Sequence, residues 1–275
     1  MHLKTAVTVG TEDSVPEALV LFHGVERSIP VVHELGYDGI EIALYRGESL
    51  DVHRLTGLLR SHQLSVPVIS TGQMSRVLSL HLVDPDPQAR SHAIDSFSRI
   101  IDVAAQLKAD INVSLVRGVI PPGMERPEAI RLLGDALTTL CKTAHSHGLN
   151  LLLEQMNRYE TNLLNSVSEV GEFIRMLQVP NLKIHADTYH MNIEDADMCA
   201  ALREYAPELG YIHFSDSNRL APGQGHIDFA SIARTLNEIG YDGWVGVETL
   251  RIPDGREAAR QSIDAIRQLE TAARL

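Results

Sequence analysis

Short apolar runs alternate with longer stretches of helical period along the whole chain. The strand candidates are Leu3–Val9, Gly39–Leu44, Ser65–Ser70, Asp110–Val116, Leu149–Gln155, Leu182–Asp187, Gly210–Phe214 and Trp244–Thr249. Each is rich in Val, Ile or Leu, as strands covered on both faces should be. Between them the spacing of apolar positions predicts helices near Arg27–Glu34, Asp51–Ser61, Gln88–Leu107, Arg126–His147, Val167–Leu177, Asp195–Tyr205, Phe229–Ile239 and Glu257–Thr271. Several of these run into a glycine just before the next strand, at Gly36, Gly148, Gly210 and Gly240, which reads as helix C-capping followed by re-entry into a sheet. Eight strands alternating with eight helices predict a parallel sheet closed into an α/β TIM barrel, (β/α)8. A doubly wound open sheet would favour a Gly-x-Gly-x-x-Gly turn after the first strand, and Val9-Gly10-Thr11-Glu12-Asp13 is not one. No linker or composition shift interrupts the pattern, so residues 1–275 read as a single domain.

The polar residues that end the apolar runs carry the chemistry, because a parallel barrel builds its active site at the C-terminal ends of its strands. Four consecutive units supply such residues: Glu154 after Leu151-Leu152-Leu153, Asp187 after Ile184-His185-Ala186, His213 after Tyr211-Ile212, and Glu248 after Val245-Gly246-Val247. The intervals of 33, 26 and 35 residues each match one strand–helix unit. With neighbouring strands about 4.8 Å apart, the four side chains can converge on one point above the barrel. Taken singly, a glutamate at a strand end is often a loop ion pair and a histidine a satisfied core residue. The joint pattern is what points to function. Three carboxylates and an imidazole so placed would repel one another unless a divalent cation lay between them. Three oxygen donors and one nitrogen, with no thiolate, suit Mn²⁺, Mg²⁺ or Co²⁺ better than structural Zn²⁺. Glu160, His190 and Arg219 follow on loops leaving the same mouth, where substrate contacts belong.

These segments resemble the ketose 3-epimerases of the D-tagatose 3-epimerase type, within the xylose-isomerase-like barrels. The resemblance implies one divalent metal ion, Mn²⁺ foremost, on Glu154, Asp187, His213 and Glu248. It also implies Glu154 and Glu248 as the acid/base pair, and Glu160, His190 and Arg219 as substrate contacts through NRYE, DTYHMNIED and NRLAPGQGHIDF. Homodimers or homotetramers are usual in that family. Further segments look closer to the 5-keto-L-gluconate epimerases: Ser70-Thr71-Gly72-Gln73, Leu78-Ser79-Leu80, Leu115-Val116-Arg117-Gly118 and Asn157-Arg158-Tyr159-Glu160-Thr161. On that reading Arg117 grips a substrate carboxylate by paired hydrogen bonds, with Gln73 a second wall contact and Arg46 a weaker candidate for the grip. The plainer role for Arg117 is an ion pair with a loop acid.

The expected reaction is proton abstraction next to the carbonyl of a keto sugar or keto sugar acid, with return of a proton to the opposite face through an enediolate. An aldose–ketose isomerase of the hydroxypyruvate or inosose type uses the same intermediate and is the alternative. An abasic-site endonuclease and a catalytically dead sugar-binding module are remoter ones. The net charge of −12, without a Lys/Arg-rich run, argues against a nucleic-acid partner and an anionic membrane surface. No apolar run approaches a membrane span, and the apolar part of the N-terminus is too short for a signal peptide, so the expected location is cytoplasmic. Cys141 and Cys199, far apart and outside any CxxC pattern, read as reduced.

Overall fold

The computed structural model describes residues 2–15, 18–47 and 50–272. Among these the barrel strands are β1 (Lys4–Gly10), β3 (Gly39–Ala43), β4 (Val68–Ser70), β5 (Asp110–Val113), β6 (Leu151–Glu154), β7 (Leu182–Asp187), β8 (Leu209–Phe214) and β9 (Trp244–Val247). Each pairs in parallel with the next, and β1 pairs with β9 to close the ring. A two-residue strand, β2 (Phe22–His23), extends the β1 edge above β9, with Val9 opposite Phe22. The fold is the (β/α)8 TIM barrel that the alternation predicts.

The helices are α1 (Val25–Glu34), α2 (Val52–Ser61), α3 (Gly72–Leu78), α4 (Pro87–Leu107), α5 (Arg126–Ser146), α6 (Val167–Leu177), α7 (Thr188–Glu194), α8 (Met198–Glu204), α9 (Phe229–Glu238) and α10 (Gly255–Ala272). Three departures from the predicted pattern have local causes. The third strand begins at Val68 rather than Ser65, because Pro67 offers no amide for the ladder. The fourth stops at Val113 and turns through a single 3₁₀ turn at Leu115–Arg117. The helix expected over Asp195–Tyr205 is α8, which starts at Met198 because Asp197 caps it by accepting from the Ala200 amide, and an additional short helix, α7, precedes it. Of the four glycines read as caps, Gly36, Gly148 and Gly240 take positive φ, as expected. Gly210 instead lies within β8, where a Cβ would meet the Leu152 and Lys183 side chains at 2.8 Å.

Alternate strand positions face opposite sides of the barrel wall. One set (Ile42, Ile69, Ile111 and Leu151, matched in register) packs outward and joins the main core with the helices. The other set faces the barrel interior. Its lower layer is a separate apolar plug of Val68, Leu152 and Tyr211 packed against Trp244. Above the plug the interior turns polar, with Thr8 and Glu41 in register and Asn112, His185 and His213 all buried. Barrel interiors are usually filled with branched apolar side chains, so this layer marks where packing gives way to chemistry.

Candidate active site

Glu154 and Asp187 are the last residues of β6 and β7, His213 lies near the end of β8, and Glu248 follows β9. Register puts Glu154 beside His185 and Asp187 beside His213, so consecutive strands lift these side chains to the barrel mouth. One donor atom from each of Glu154, Asp187, His213 and Glu248 lies within 4.8 Å of all the others. The four residues spaced one unit apart in sequence thus meet at one point.

Each is held in place. Asp187 Oδ1 accepts from the Tyr189 amide at 2.8 Å, capping α7, while Oδ2 accepts from Arg219 Nη1 at 2.8 Å. Arg219 Nη2 donates to Glu248 Oε2 at 2.9 Å, and the guanidinium lies over the Tyr189 ring at 4.3 Å. Glu154 Oε2 accepts from Asn112 Nδ2 at 3.0 Å. His213 Nε2 sits 2.8 Å from Glu41 Oε2. Its Nδ1 has no hydrogen-bond partner and faces Asp187 Oδ2 at 3.5 Å and Glu248 Oε2 at 3.9 Å.

Burial pushes the Glu154 carboxyl up to about 8, with the nearby Glu248 charge adding to it. Burial pushes Glu248 up to about 7, against the pull of Arg219. Burial acts on Asp187 in the same sense, but Arg219, His190 and His213 outweigh it and hold that carboxyl well below the usual range. Burial opposes charge on His213, but Glu41, Glu248 and Asp187 outweigh it and raise its basicity well above the usual range, so in the unliganded form His213 and Arg219 offset part of the carboxylate charge.

His190, on α7, is buried and its basicity falls to about 3, chiefly through burial. Asn157 Nδ2 lies 2.7 Å from its Nδ1, and the Asn157 amide donates to that same nitrogen at 3.3 Å. This pairing makes Nδ1 the acceptor and leaves the proton to Nε2, which lies 4.0 Å from Glu154 Oε1 and 3.4 Å from Arg219 Nη2. His190 is thus a neutral donor aimed into the mouth.

Glu154, Glu248, His190 and Arg219 line a cavity open to solvent, together with Glu160 and Gln73 and with Ser70, Arg76, Asn112 and Ser114. Glu160 faces Arg76 at 3.6 Å. Gln73 borders the cavity, but its amide also ties down the loop after β1: Oε1 accepts from Val15 N and Nε2 donates to Ser14 Oγ, both at 3.1 Å.

A family model described as xylose isomerase-like TIM barrel matches residues 29–269. The chain belongs to that family. A ketose 3-epimerase of Arthrobacter globiformis is 32% identical over 228 residues, covering 82% of this chain and 78% of the relative. A 3-dehydro-D-guloside 4-epimerase of Escherichia coli is 26% identical, covering 86% and 91%. Among solved structures, an L-ribulose 3-epimerase superposes with a TM-score of 0.84 at 25% identity, covering 98% of this chain and 95% of that one. Within the xylose isomerase-like barrels, then, this is a carbohydrate epimerase, an isomerase by class.

The donor set of this epimerase fits a divalent cation. Its atoms converge, three are carboxylate oxygens, and the imidazole nitrogen aimed among them is buried and unpartnered.

The structure corrects the expectation for Arg117. It is completely buried, outside the residues that line the cavity. Its guanidinium donates to the carbonyls of Val113 (3.2 Å), Ser114 (3.1 Å), Leu163 (3.4 Å) and Leu164 (3.2 Å). The side chain is thus tied to main-chain carbonyls behind the cavity wall, within electrostatic reach of Glu154 and His190 and with no ion pair to a loop acid among the described residues. Arg46 lies over the Tyr45 ring at 5.5 Å and also stays outside the cavity lining. The guanidinium that borders the cavity from the first half of the chain is Arg76, on α3, which the sequence reading passed over. Glu41 and Asn112 were missed as well. Both carried a legible signal, a polar side chain at an inward position of an otherwise apolar strand.

Proposed function

We propose that this epimerase inverts the carbon next to the carbonyl of a keto sugar or keto sugar acid, using Glu154 and Glu248 as its two acid/base groups. Glu154, Asp187, His213 and Glu248 would hold one divalent ion, with Mn²⁺ the first candidate and Mg²⁺ or Co²⁺ the others. Such an ion supplies Lewis-acid polarisation of the carbonyl and so acidifies the neighbouring C–H.

The observation that carries this reading is the pair of carboxylates at the two flanks of the donor arc, the buried Glu154 ending β6 and the partly buried Glu248 following β9. Flanking carboxylates address opposite faces of a planar carbon. One takes the proton, leaving an enediolate, and the other delivers a proton to the far face, which inverts the centre. Burial raises the basicity of both in the metal-free site; a bound dication would lower it again while acidifying the C–H they act on, which keeps the pairing workable. Glu160 and the Nε2–H of His190 would orient the flanking hydroxyls, and Arg219 would offset negative charge as it develops on the substrate.

The two named relatives share this chemistry. A 3-epimerase of a ketose and a 4-epimerase of a 3-dehydro sugar both act on the carbon adjacent to a carbonyl. Turnover in deuterated water tests the assignment. Epimerisation places the label on the inverted carbon, whereas label on the neighbouring carbon, with an aldose product, would replace it with an isomerase.

A further inference from the structure

Glu41 is the middle residue of β3, whose other members are Gly39, Ile40, Ile42 and Ala43, and it is completely buried in the barrel interior. A carboxylate there costs several kcal/mol in desolvation unless its partners return that energy, and a leucine would fill the space without the cost. Packing does not explain it. Its contacts do. Oε2 receives the Tyr211 hydroxyl at 2.8 Å and meets His213 Nε2 at 2.8 Å, both from β8 across the barrel.

We propose that Glu41 is a positioning residue that fixes His213 with its proton on Nε2, so that Nδ1 presents a lone pair to the metal; this rests on the metal reading given above. A histidine ligand is oriented by what its other nitrogen donates to, and a carboxylate in that place both selects the tautomer and raises the basicity of the ligating nitrogen. Here the selected nitrogen is the unpartnered one facing Asp187 Oδ2 and Glu248 Oε2. Tyr211 holds Glu41 in turn. The His213 ring is wedged edge-on against His185 at 4.1 Å between centroids. Gly246, in register with His213, leaves the room this arrangement needs, since a Cβ there would run into the Tyr211 hydroxyl and the His213 ring. The hydrogen bonds and ion pairs of Glu41 reach the donor cluster only at His213, so its action on the ion would run through that ring.

Calorimetric titration of the metal-stripped protein with Mn²⁺ tests this. Glu41→Ala is expected to weaken Mn²⁺ affinity about 10- to 100-fold. Glu41→Gln, which retains an acceptor for Nε2–H but no charge, should fall between it and wild type. Tyr211→Phe, which leaves the Glu41–His213 bond, should lose least. Melting temperatures of the metal-free variants, taken alongside, separate a lost scaffold from a lost ligand geometry. If wild type binds Mn²⁺ and Glu41→Ala binds it equally well, the positioning role is overturned. If wild type binds none, the metal reading itself fails. Should Glu41→Ala not fold, the histidine ¹H–¹⁵N spectrum of wild-type protein loaded with diamagnetic Zn²⁺ decides: His213 protonated on Nε2 supports the role, and protonation on Nδ1 overturns it.

Discussion

The two arcs of the barrel mouth are built differently. On the arc from β6 to β9, each polar side chain is locked by another: Asp187 and Glu248 by Arg219, Glu154 by Asn112, His190 by Asn157. On the arc from β1 to β5 the cavity wall is mostly small or apolar, with Ala18, Val20, Ala43, Ser70 and Ser114. Of its larger polar groups, Gln73 is spent on the loop after β1 and Arg117, behind the wall, on four carbonyls, while Asn112, Arg76 and Glu41 reach across to Glu154, Glu160 and His213. The difference teaches a division of labour. One arc carries the acid/base and donor groups, which set the reaction, and the other sets the shape that a substrate must fill while bracing two of those groups through Glu41 and Asn112.

The largest expected effect comes from the charged arc. Glu248→Gln and Glu154→Gln should each lower kcat by roughly a thousandfold or more, about 4 kcal/mol of transition-state stabilisation, with the fold intact by circular dichroism. Substantial activity in either variant would remove that residue from the acid/base pair and undo the contrast between the arcs.

Arg117 tests the other arc as scaffold. Arg117→Met removes the side-chain donor from four carbonyls, of which Ser114 O keeps the residue 117 amide, and the expected loss is about 3 kcal/mol of stability, read from denaturant unfolding. Turnover per folded molecule should hold for neutral and acidic sugars alike. A variant of normal stability that loses only keto acids would restore the carboxylate grip and make this wall chemical as well.

How much of this was legible in sequence follows the same division. The barrel was legible because a strand covered on both faces must be apolar and a helix must bury one stripe, so periodicity is fixed by packing. The donor quartet was legible because a charged residue ending an apolar run has no packing reason to be there. Arg117 was misread for a geometric reason. Sequence puts it at the end of a strand, but the strand breaks at Val113 and one 3₁₀ turn redirects the side chain. Arg76 was illegible because it lies on α3, a short helix after β4 that begins at a glycine and has no strong apolar stripe to betray it. Glu41 was legible in principle, as a lone carboxylate inside Gly-Ile-Glu-Ile-Ala, but its partners on β8 are 170 and 172 residues away.

A smaller effect follows from the charge of the first arc. If the quartet holds a dication, Mn²⁺ at about a hundred times its dissociation constant should stabilise the fold by roughly 2.7 kcal/mol, and chelation should reverse this together with activity. Asp187→Ala should abolish the stabilisation, whereas Gln73→Ala, on the opposite wall, should leave it unchanged. Full activity after exhaustive chelation would leave the clustered acids without their cation and the contrast without its cause.

The smallest effect is expected at Arg76, and it sharpens the comparison most finely because this residue is the cation on the shaping wall. Its side chain is 40% exposed and meets Glu160 at 3.6 Å, a geometry in which an ion pair contributes at most about 1 kcal/mol. Arg76→Ala should therefore raise KM by several-fold and leave kcat nearly unchanged, since no proton moves near it. The pattern across substrates separates two roles. A KM increase confined to keto sugar acids identifies Arg76 as the group that meets the carboxylate. An equal increase for neutral keto sugars means that it acts by holding Glu160 against a hydroxyl. A kcat collapse comparable to that of Glu248→Gln would place reaction chemistry on the wall, and the two arcs could no longer be told apart by what they do.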